Sequence, residues 1–428
     1  MRFYTETYGC TANFGNSLEV EAALMEMGHY PAALAEADIV IVNTCAVTEK
    51  TERKILRRLR QIQCNRLVIA GCLAAALPEL LQGIECSKIL CLLDRSAAKE
   101  IASLFPQETP DLHNQPRLRH QPHLRHQPQI LIDHCPQNLC GIVNIAEGCN
   151  GSCSYCIVRR ARGRLKSRTP DDVVEEVQER LKRGAVEVQL AAQDTAAYGL
   201  DIGTTLPELL GRIVEIPGKF MVRIGMMNPD TARPILSELS DAFHSPKVYS
   251  FLHMPVQSGS DRILRSMGRR YIAADFLRIV GYLRQSVDDI SLITDVISGF
   301  PGETDEDFRE TMALLKTVQP DKVNITRYSS RPGTPASMLY DMPDRIKKDR
   351  SRELTRLWRE IAARRNISYE GKIMDALVTE RGRGNTMKAR AMNYAGIVIE
   401  DKPTLGSTIK VKVTGSNAFY LTGRALPF

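Results

Sequence analysis

From the N-terminus, short apolar runs alternate with longer stretches whose apolar residues recur at helical spacing. RFYTET precedes a helical pattern over Asn16–Gly28, DIVIVNT precedes one over Glu49–Gln61, and RLVIAG precedes another beginning near Pro78. This alternation predicts an α/β domain built on a parallel sheet. From residue 141 a second series begins. GIVNIAEG, VEVQLAAQD, FMVRIGM, VYSFLHMPV, ISLITDVISGF and KVNITRYSS are six strand candidates, separated by helical stretches such as Pro170–Arg183 and Asp305–Thr317. Six β/α repeats predict a partial (β/α)6 barrel with its chemistry at the strand C-termini. A helix over roughly Asp344–Arg365 leads to KIMDALVTERG, TMKARAMNYAGIVIE, STIKVKVTG and AFYLTGRAL, short strands divided by Gly-rich turns. These predict a small C-terminal antiparallel β-barrel.

The chain is thus read as α/β and multidomain: an N-terminal domain over 1–112, a linker over 113–134, the partial barrel over 135–366 and the small barrel over 367–428. The linker contains HNQPRLRHQPHLRHQPQ, with the hexads QPRLRH and QPHLRH. A proline every sixth residue and the lack of apolar periodicity predict an extended segment. With 43% hydrophobic and 25% charged residues over 428 positions, the composition is globular. No apolar run approaches membrane-spanning length, and MRFYTETYGC has no signal-peptide core, so a soluble, cytoplasmic protein without a membrane partner is expected.

Charge changes the picture through its distribution. Residues 157–169 carry six Arg or Lys and no acid, while 344–365 and 372–428 each carry nine basic residues against four acidic. The net charge is only +7, so the rest of the chain is net acidic. Three basic blocks on such a background predict a nucleic-acid footprint.

Eleven cysteines in a reducing compartment favour metal or redox roles over disulfides. Cys10, Cys45 and Cys72 each fall just past a strand candidate. Ligands of open parallel sheets gather beyond the carboxyl ends of the strands, so the three can converge. Core packing is the alternative for each taken singly. Cys64, Cys86, Cys91, Cys135 and Cys140 lack that placement and read as structural. Cys149, Cys153 and Cys156 lie close together in EGCNGSCSYC. Zinc sites usually add a distant second pair to such a run, whereas thiolate clusters are the normal ligands of iron–sulfur centres. Three thiolates on a four-iron cube leave one iron free to bind a small molecule.

The Cys149-x3-Cys153-x2-Cys156 spacing, with Tyr155 before the last cysteine, resembles the signature of the radical S-adenosylmethionine (SAM) superfamily. That resemblance implies a 4Fe–4S cluster whose open iron chelates SAM, which is cleaved to methionine and a 5′-deoxyadenosyl radical. YGCTANFGNS, VNTCAVTEKTERK and AGCLAA resemble the three cysteine segments of the methylthiotransferase family. HMPVQSGSDRILRSMGRRY, DVISGFPGETDEDF and RYSSRPGTPAS are similar to further blocks of that family, and the segment after Gly371 resembles its RNA-binding TRAM domain. The resemblance covers nearly the whole chain, departing mainly at the His/Pro hexads.

It implies two 4Fe–4S clusters: a radical-generating one on Cys149, Cys153 and Cys156, and an auxiliary, sulfur-bearing one on Cys10, Cys45 and Cys72. One SAM methylates that sulfur and a second supplies the radical, with no catalytic acid or base. Tyr155 is expected against the SAM adenine. Gln193, Asp194, Gln257, Ser258 and Arg331, at barrel strand ends, are expected to contact SAM or substrate, and the GFPGET turn to border SAM.

The family modifies either an adenosine beside the tRNA anticodon or an aspartate of a ribosomal protein. The basic blocks favour the anticodon stem-loop, with Arg381, Arg383 and Arg390 as expected RNA contacts. AAQDTAAYGLDIG, RIGMMNP and NITRYSSRPGTPA resemble the archaeal and eukaryotic branch, which acts on C2 of N6-threonylcarbamoyladenosine; Ala196–Ala197 stands where a glycine beside the alanine is expected. Isopentenyl-adenosine, a ribosomal-protein aspartate, and a non-catalytic iron–sulfur RNA-binding protein are the alternatives. The sulfur and electron donors are not specified by the sequence.

Overall fold

A computed structural model describes residues 1–91, 94–105 and 139–426; the 113–134 linker and Cys135 lie outside the described residues. The chain divides into two units, the first holding described residues up to 105 together with 157–163. The first is a parallel sheet in the order β2-β1-β3-β4-β5, from β1 (Arg2–Thr7), β2 (Tyr30–Pro31), β3 (Ile39–Thr44), β4 (Leu67–Gly71) and β5 (Lys88–Leu90). Every residue of β3 and β4 is buried, which is why they read as continuous apolar runs. The helices are α1 (Thr11–Glu26), α2 (Glu49–Leu59), α3 (Cys72–Ala76), α4 (Arg95–Ala102) and α5 (Val158–Arg162).

Two helices differ from the sequence reading. α1 starts at Thr11 rather than Asn16, because its first turns bury Asn13, Asn16 and Ser17 in hydrogen bonds and so carry no apolar stripe. The helix expected to begin near Pro78 is only a single 3-10 turn over Pro78–Leu81, preceded by the short α3 and followed by β5.

In the second unit the six expected strands are β6 (Cys140–Asn144), β9 (Glu187–Ala191), β10 (Met221–Ile224), β11 (Phe251–His253), β12 (Ser291–Ser298) and β13 (Lys322–Arg327), with a small hairpin of β7 (Ala146–Glu147) and β8 (Lys166–Ser167). They form two parallel three-stranded sheets, β6-β9-β10 and β11-β12-β13; Val222 of β10 makes a parallel bridge to Val248, in the segment leading into β11. The covering helices are α6 (Pro170–Lys182), α7 (Leu206–Val214), α8 (Pro229–Ala232), α9 (Leu236–Phe243), α10 (Asp261–Ser266), α11 (Ala273–Ser286) and α12 (Asp305–Val318). Val143, Leu190, Ile224, Leu252 and Val296 belong to one apolar core beneath them.

α13 (Asp344–Ile367) then leads to a closed barrel in the order β14-β15-β16-β18-β17, from β14 (Ile373–Arg381), β15 (Met387–Ala391), β16 (Gly396–Ile399), β17 (Thr408–Ser416) and β18 (Leu421–Ala425). TMKARAMNYAGIVIE is two strands rather than one, split by a turn at Tyr394 (φ 65°). β16 and β18 pair in parallel, and the other pairings are antiparallel.

That turn fastens the small barrel to the large one. Glu187, fully buried at the start of β9, accepts from Arg390, from Tyr249 OH at 3.0 Å and from Gln189 Nε2 at 2.8 Å. Arg390 also donates to Tyr394 OH, and Asn393 Nδ2 reaches Asp289 at 2.8 Å. This corrects the reading of Arg390 as an RNA contact: it is 5% exposed and its charge is committed to Glu187. Removing one partner of a buried pair leaves the other charge uncompensated. Arg390→Ala is therefore expected to cost about 3–5 kcal/mol, read as a lower denaturation midpoint, with Arg381→Ala near wild type.

Candidate functional site

A parallel sheet brings the C-terminal ends of its strands to one edge, and each cysteine of the first trio stands just past such an end. In the first unit Cys10 caps the N-terminus of α1, Cys45 follows β3 directly, and Cys72 is the first residue of α3 after β4. Cys10 is exposed, whereas Cys45 and Cys72 are buried. Burial pushes the Cys45 thiol up to about 12, with Cys10 and Cys72 adding to the rise and Arg162 opposing it.

Polar side chains build the surroundings. Asn13 Nδ2 donates to Tyr8 O (2.6 Å) and Thr44 O (2.9 Å), holding the loops that carry Cys10 and Cys45. Arg162 Nε donates to Cys72 Sγ at 3.4 Å, and its Nη2 reaches Asn13 and Asn16. Counted in sequence with a cationic run, Arg162 is 7% exposed and belongs to this cluster. Gly71 is at φ 91°, and a Cβ there would lie 2.2 Å from Asn43 Oδ1 and 2.7 Å from Thr44 O. Only glycine lets the chain pass there into Cys72.

In the second unit Cys149, Cys153 and Cys156 are half-buried on the loop after β7. Cys149 Sγ accepts from Gly151 N at 3.2 Å. A Cβ on Gly151 would stand 3.2 Å from Cys149 Sγ and 3.8 Å from Cys153 Sγ, so the small residue leaves room where two sulfurs approach. Ser154 anchors the loop on both sides, donating N–H to Met267 O (2.9 Å) and accepting Ala336 N (2.8 Å).

Beside this loop is a cavity of about 200 Å³ lined by Asn150, Cys153, Asp194, Asn228, Arg269 and neighbours. Asp194 accepts from Asn228 Nδ2 (2.7 Å), Asn228 N (3.1 Å) and Thr231 Oγ1 (2.9 Å). Burial raises its pKa to about 6 against these hydrogen bonds, which lower it. Arg269 Nη1 donates to Asn228 Oδ1 at 2.7 Å and Nη2 donates to Tyr155 OH.

Of the expected SAM or substrate contacts, Asp194 lines this cavity. Tyr155 packs edge-on to Phe300, its hydroxyl taken by Arg269, which places the ring in a small apolar cluster. Gln193 is half-buried, its Oε1 enclosed without a hydrogen-bond partner among the described residues. Gln257 has φ 67° and is bridged to Val296. Ser258 is fully buried against Thr311 Oγ1 (3.3 Å), and its hydroxyl accepts Ser260 N (3.2 Å), which corrects it from a ligand contact to a loop fastener. Arg331 is 3% exposed, and its carbonyl accepts Thr334 Oγ1 at 2.7 Å. Arg381 and Arg383 are exposed. Asn228, just past the end of the third barrel strand, is one of the polar residues that strand-end placement singles out, and it lines the cavity. The residues missed were Arg269 and Thr231, for which the pair Arg269–Arg270 after the turn at Gly268 was the available signal.

Residues 143–315 match the Radical SAM superfamily, 2–91 match Uncharacterized protein family UPF0004, and 368–426 match the TRAM domain. The probable threonylcarbamoyladenosine tRNA methylthiotransferase of Archaeoglobus fulgidus is 40% identical, over 99% of this chain and 98% of its own. The chain belongs to the radical SAM methylthiotransferase family. The threonylcarbamoyladenosine tRNA methylthiotransferase of Danio rerio is 33% identical over 99% of this chain and 78% of that one. The tRNA-2-methylthio-N(6)-dimethylallyladenosine synthase of a Sulfurihydrogenibium species is 32% identical over 99% of both. The solved radical SAM methyltransferase TsrM of Kitasatospora setae shares the fold, with a TM-score of 0.53 at 16% identity over 78% of this chain and 74% of that one.

Membership in a radical SAM methylthiotransferase family implies a 4Fe–4S cluster and SAM. Among the described residues no three Cys, His, Asp or Glu side chains are placed to hold a single metal ion. A four-iron cube asks only that each thiolate reach its own iron. The all-thiol donor set on the Gly151 loop, with room kept between two sulfurs, suits that requirement.

The methylthiotransferase blocks HMPVQSGSDRILRS and GFPGETDEDF also explain each other. Ser260 Oγ donates to Asp307 at 2.6 Å, Arg262 pairs with the same carboxylate, and Asp307 closes the N-terminal capping box of α12 with Thr304. Glu303 accepts Gly299 N at 2.9 Å and pairs with buried Arg350, fixing the turn between them.

Two outcomes follow. Gly71→Ala is expected to cost about 3 kcal/mol or more, read as a lower thermal midpoint, because both the positive φ and the backbone of Thr44 oppose a Cβ. Burial alone would raise the Asp307 pKa, but hydrogen bonds from Arg262, Ser260 and Thr304 outweigh it and hold it well below the ordinary 3.8. Its stabilisation is therefore complete above that value and lost as pH falls through the lower folded-state value. Asp307→Asn should cost about 1.5–3 kcal/mol near neutrality, and the gap from wild type in denaturant midpoint should narrow below about pH 4.

Proposed function

We propose that the protein inserts a methylthio group at C2 of N6-threonylcarbamoyladenosine beside the anticodon of tRNA, consuming one SAM as methyl donor and a second as radical source. The observation that carries this reading is the pair of cysteine trios at strand ends, one in each unit, on a chain of this family. Cys149, Cys153 and Cys156 would hold the SAM-binding cluster, and Cys10, Cys45 and Cys72 a second. When bound, these groups supply the electron, the radical and the transferable sulfur.

The chain's own side chains position and shield. Asp194, fixed by Asn228 and Thr231 in the cavity wall, would set a negative charge beside the place where SAM binds. Arg269, bonded to the same Asn228 and to Tyr155, extends that hydrogen-bonded wall. Arg162 donates to Cys72 sulfur, and hydrogen bonds to thiolate sulfur tune a cluster's potential. Hydrogen abstraction by a radical needs placement and exclusion of water rather than a general base. That agrees with a cavity wall whose one well-buried carboxylate is fully hydrogen-bonded.

Among the described residues no helix is long and apolar enough to cross a membrane; we place the activity in the cytoplasm, where tRNA is modified. The dimethylallyladenosine synthase at 32% identity favours a second reading with that nucleoside as substrate. Anaerobic reconstitution should give about eight irons per chain. With SAM and a reductant, nucleoside mass spectrometry should show methylthiolation of threonylcarbamoylated tRNA and not of unmodified tRNA. A product formed only on isopentenylated tRNA would select the second reading. SAM cleavage without any tRNA product would overturn both.

A further inference from the structure

The helix joining the two barrels of the second unit carries a pattern that the reaction does not use. α13 buries Lys347, Arg350, Leu354, Leu357 and Ile361. Arg345, Lys348, Arg352, Arg356 and Arg359 are all exposed. Their steps of three or four residues keep them on the face opposite the buried one. The stripe is about 21 Å long, with neighbours about 5–6 Å apart. Exposed acids Asp349, Glu353 and Glu360 flank it, and Asp349 pairs with Arg352 at 3.2 Å. A surface helix needs only solvation on such a face, so the stripe alone decides nothing.

Its two ends add the second observation. At the C-terminal end, Arg359 lies over the ring of Phe419 at 5.5 Å, and Trp358 packs edge-on against the same ring. Phe419 is 62% and Tyr420 43% exposed. They are held there: Asn417 Oδ1 accepts both their backbone N–H groups (2.7 and 3.1 Å), and Asn417 O accepts Asn366 Nδ2 from the helix at 2.6 Å. At the N-terminal end the helix follows the loop bearing Met338 and Tyr340, 86% and 84% exposed. That loop is tied to the cysteine loop through Ala336 N and Ser154 O. Cations in line with presented aromatic faces are the combination that holds unpaired nucleotides, phosphate by phosphate and base by stacking.

We propose that α13 is an RNA track: its cationic stripe takes successive phosphates of a tRNA loop, and Phe419 with Tyr420 stacks an unpaired base, leading the strand toward the cysteine loop. The proposal rests on tRNA being the substrate. It assigns the principal RNA surface to this helix and the 417–420 loop.

The test uses the full chain and threonylcarbamoylated tRNA, with binding followed by fluorescence anisotropy over a range of salt. Against wild type, the combined variant R345Q/R352Q/R356Q/R359Q should bind about tenfold or more weakly, and its log K–log salt slope should be shallower by about 0.7 for each phosphate no longer neutralised. Phe419→Ala should weaken binding about five- to a hundredfold with the slope unchanged, and Phe419→Tyr should restore it. Thermal midpoints near wild type are expected for the stripe variant, whose side chains face solvent. Unaltered affinity and slope in the stripe variant, with wild type still binding and methylthiolating tRNA, overturns the track and leaves the substrate standing. Failure of wild type to bind or modify tRNA overturns both.

Discussion

Parallel strands impose one constraint from which the chemistry of this protein follows: every strand in a sheet ends on the same edge. Residues far apart in sequence therefore meet without any local motif. Cys10, Cys45 and Cys72 gather in this way, each at the point where a strand gives way to a helix or loop. The cost of that geometry is crowding of backbone at the strand ends. Gly71 meets it in the first unit by a backbone conformation closed to other residues; in the second unit, away from the parallel strand ends, Gly151 instead leaves space between two sulfurs.

Crowded strand ends also leave polar groups far from water, and the protein answers with side chains that each serve two loops. Asn13 joins the loops of Cys10 and Cys45, Asp307 joins two sequence blocks through Ser260 and Arg262, and Asp194 gathers Asn228 and Thr231. In a low-dielectric interior such acceptors are costly unless saturated, and saturated ones rigidify. That is the property wanted around groups whose reaction depends on placement.

What was legible in the sequence was whatever burial expresses as an apolar pattern. The fully buried strands β3, β4 and β9 are visible in this way. The start of α1 was hidden because its buried face is Asn13, Asn16 and Ser17, polar residues that no hydrophobic period reveals. Charge misled for a related reason: a run of cations counts alike whether it is solvated or buried. Arg162 and Arg390 stand in basic blocks, yet one lies against Cys72 and the other against Glu187. Arg269 and Thr231 were missed because the cavity they line is assembled from residues distant in sequence, although their partners Asn228 and Tyr155 stand where strand-end placement and the cysteine motif point.

Taking those two arginines out of the surface account sharpens what remains. A residue that neutralises a buried carboxylate cannot also meet a phosphate, so the terminal barrel offers fewer cations to solvent than its composition implies. On α13 the opposite holds, because the buried face absorbs Lys347 and Arg350 in ion pairs with Asp341 and Glu303 while five further cations remain on the outer face. The helix thus separates its charges by function, structural ones inward and solvated ones outward. The same separation explains why a modest net charge of +7 is compatible with a polyanionic substrate. It is the local arrangement of cations on a rigid element, not their total, that sets where such a substrate lies.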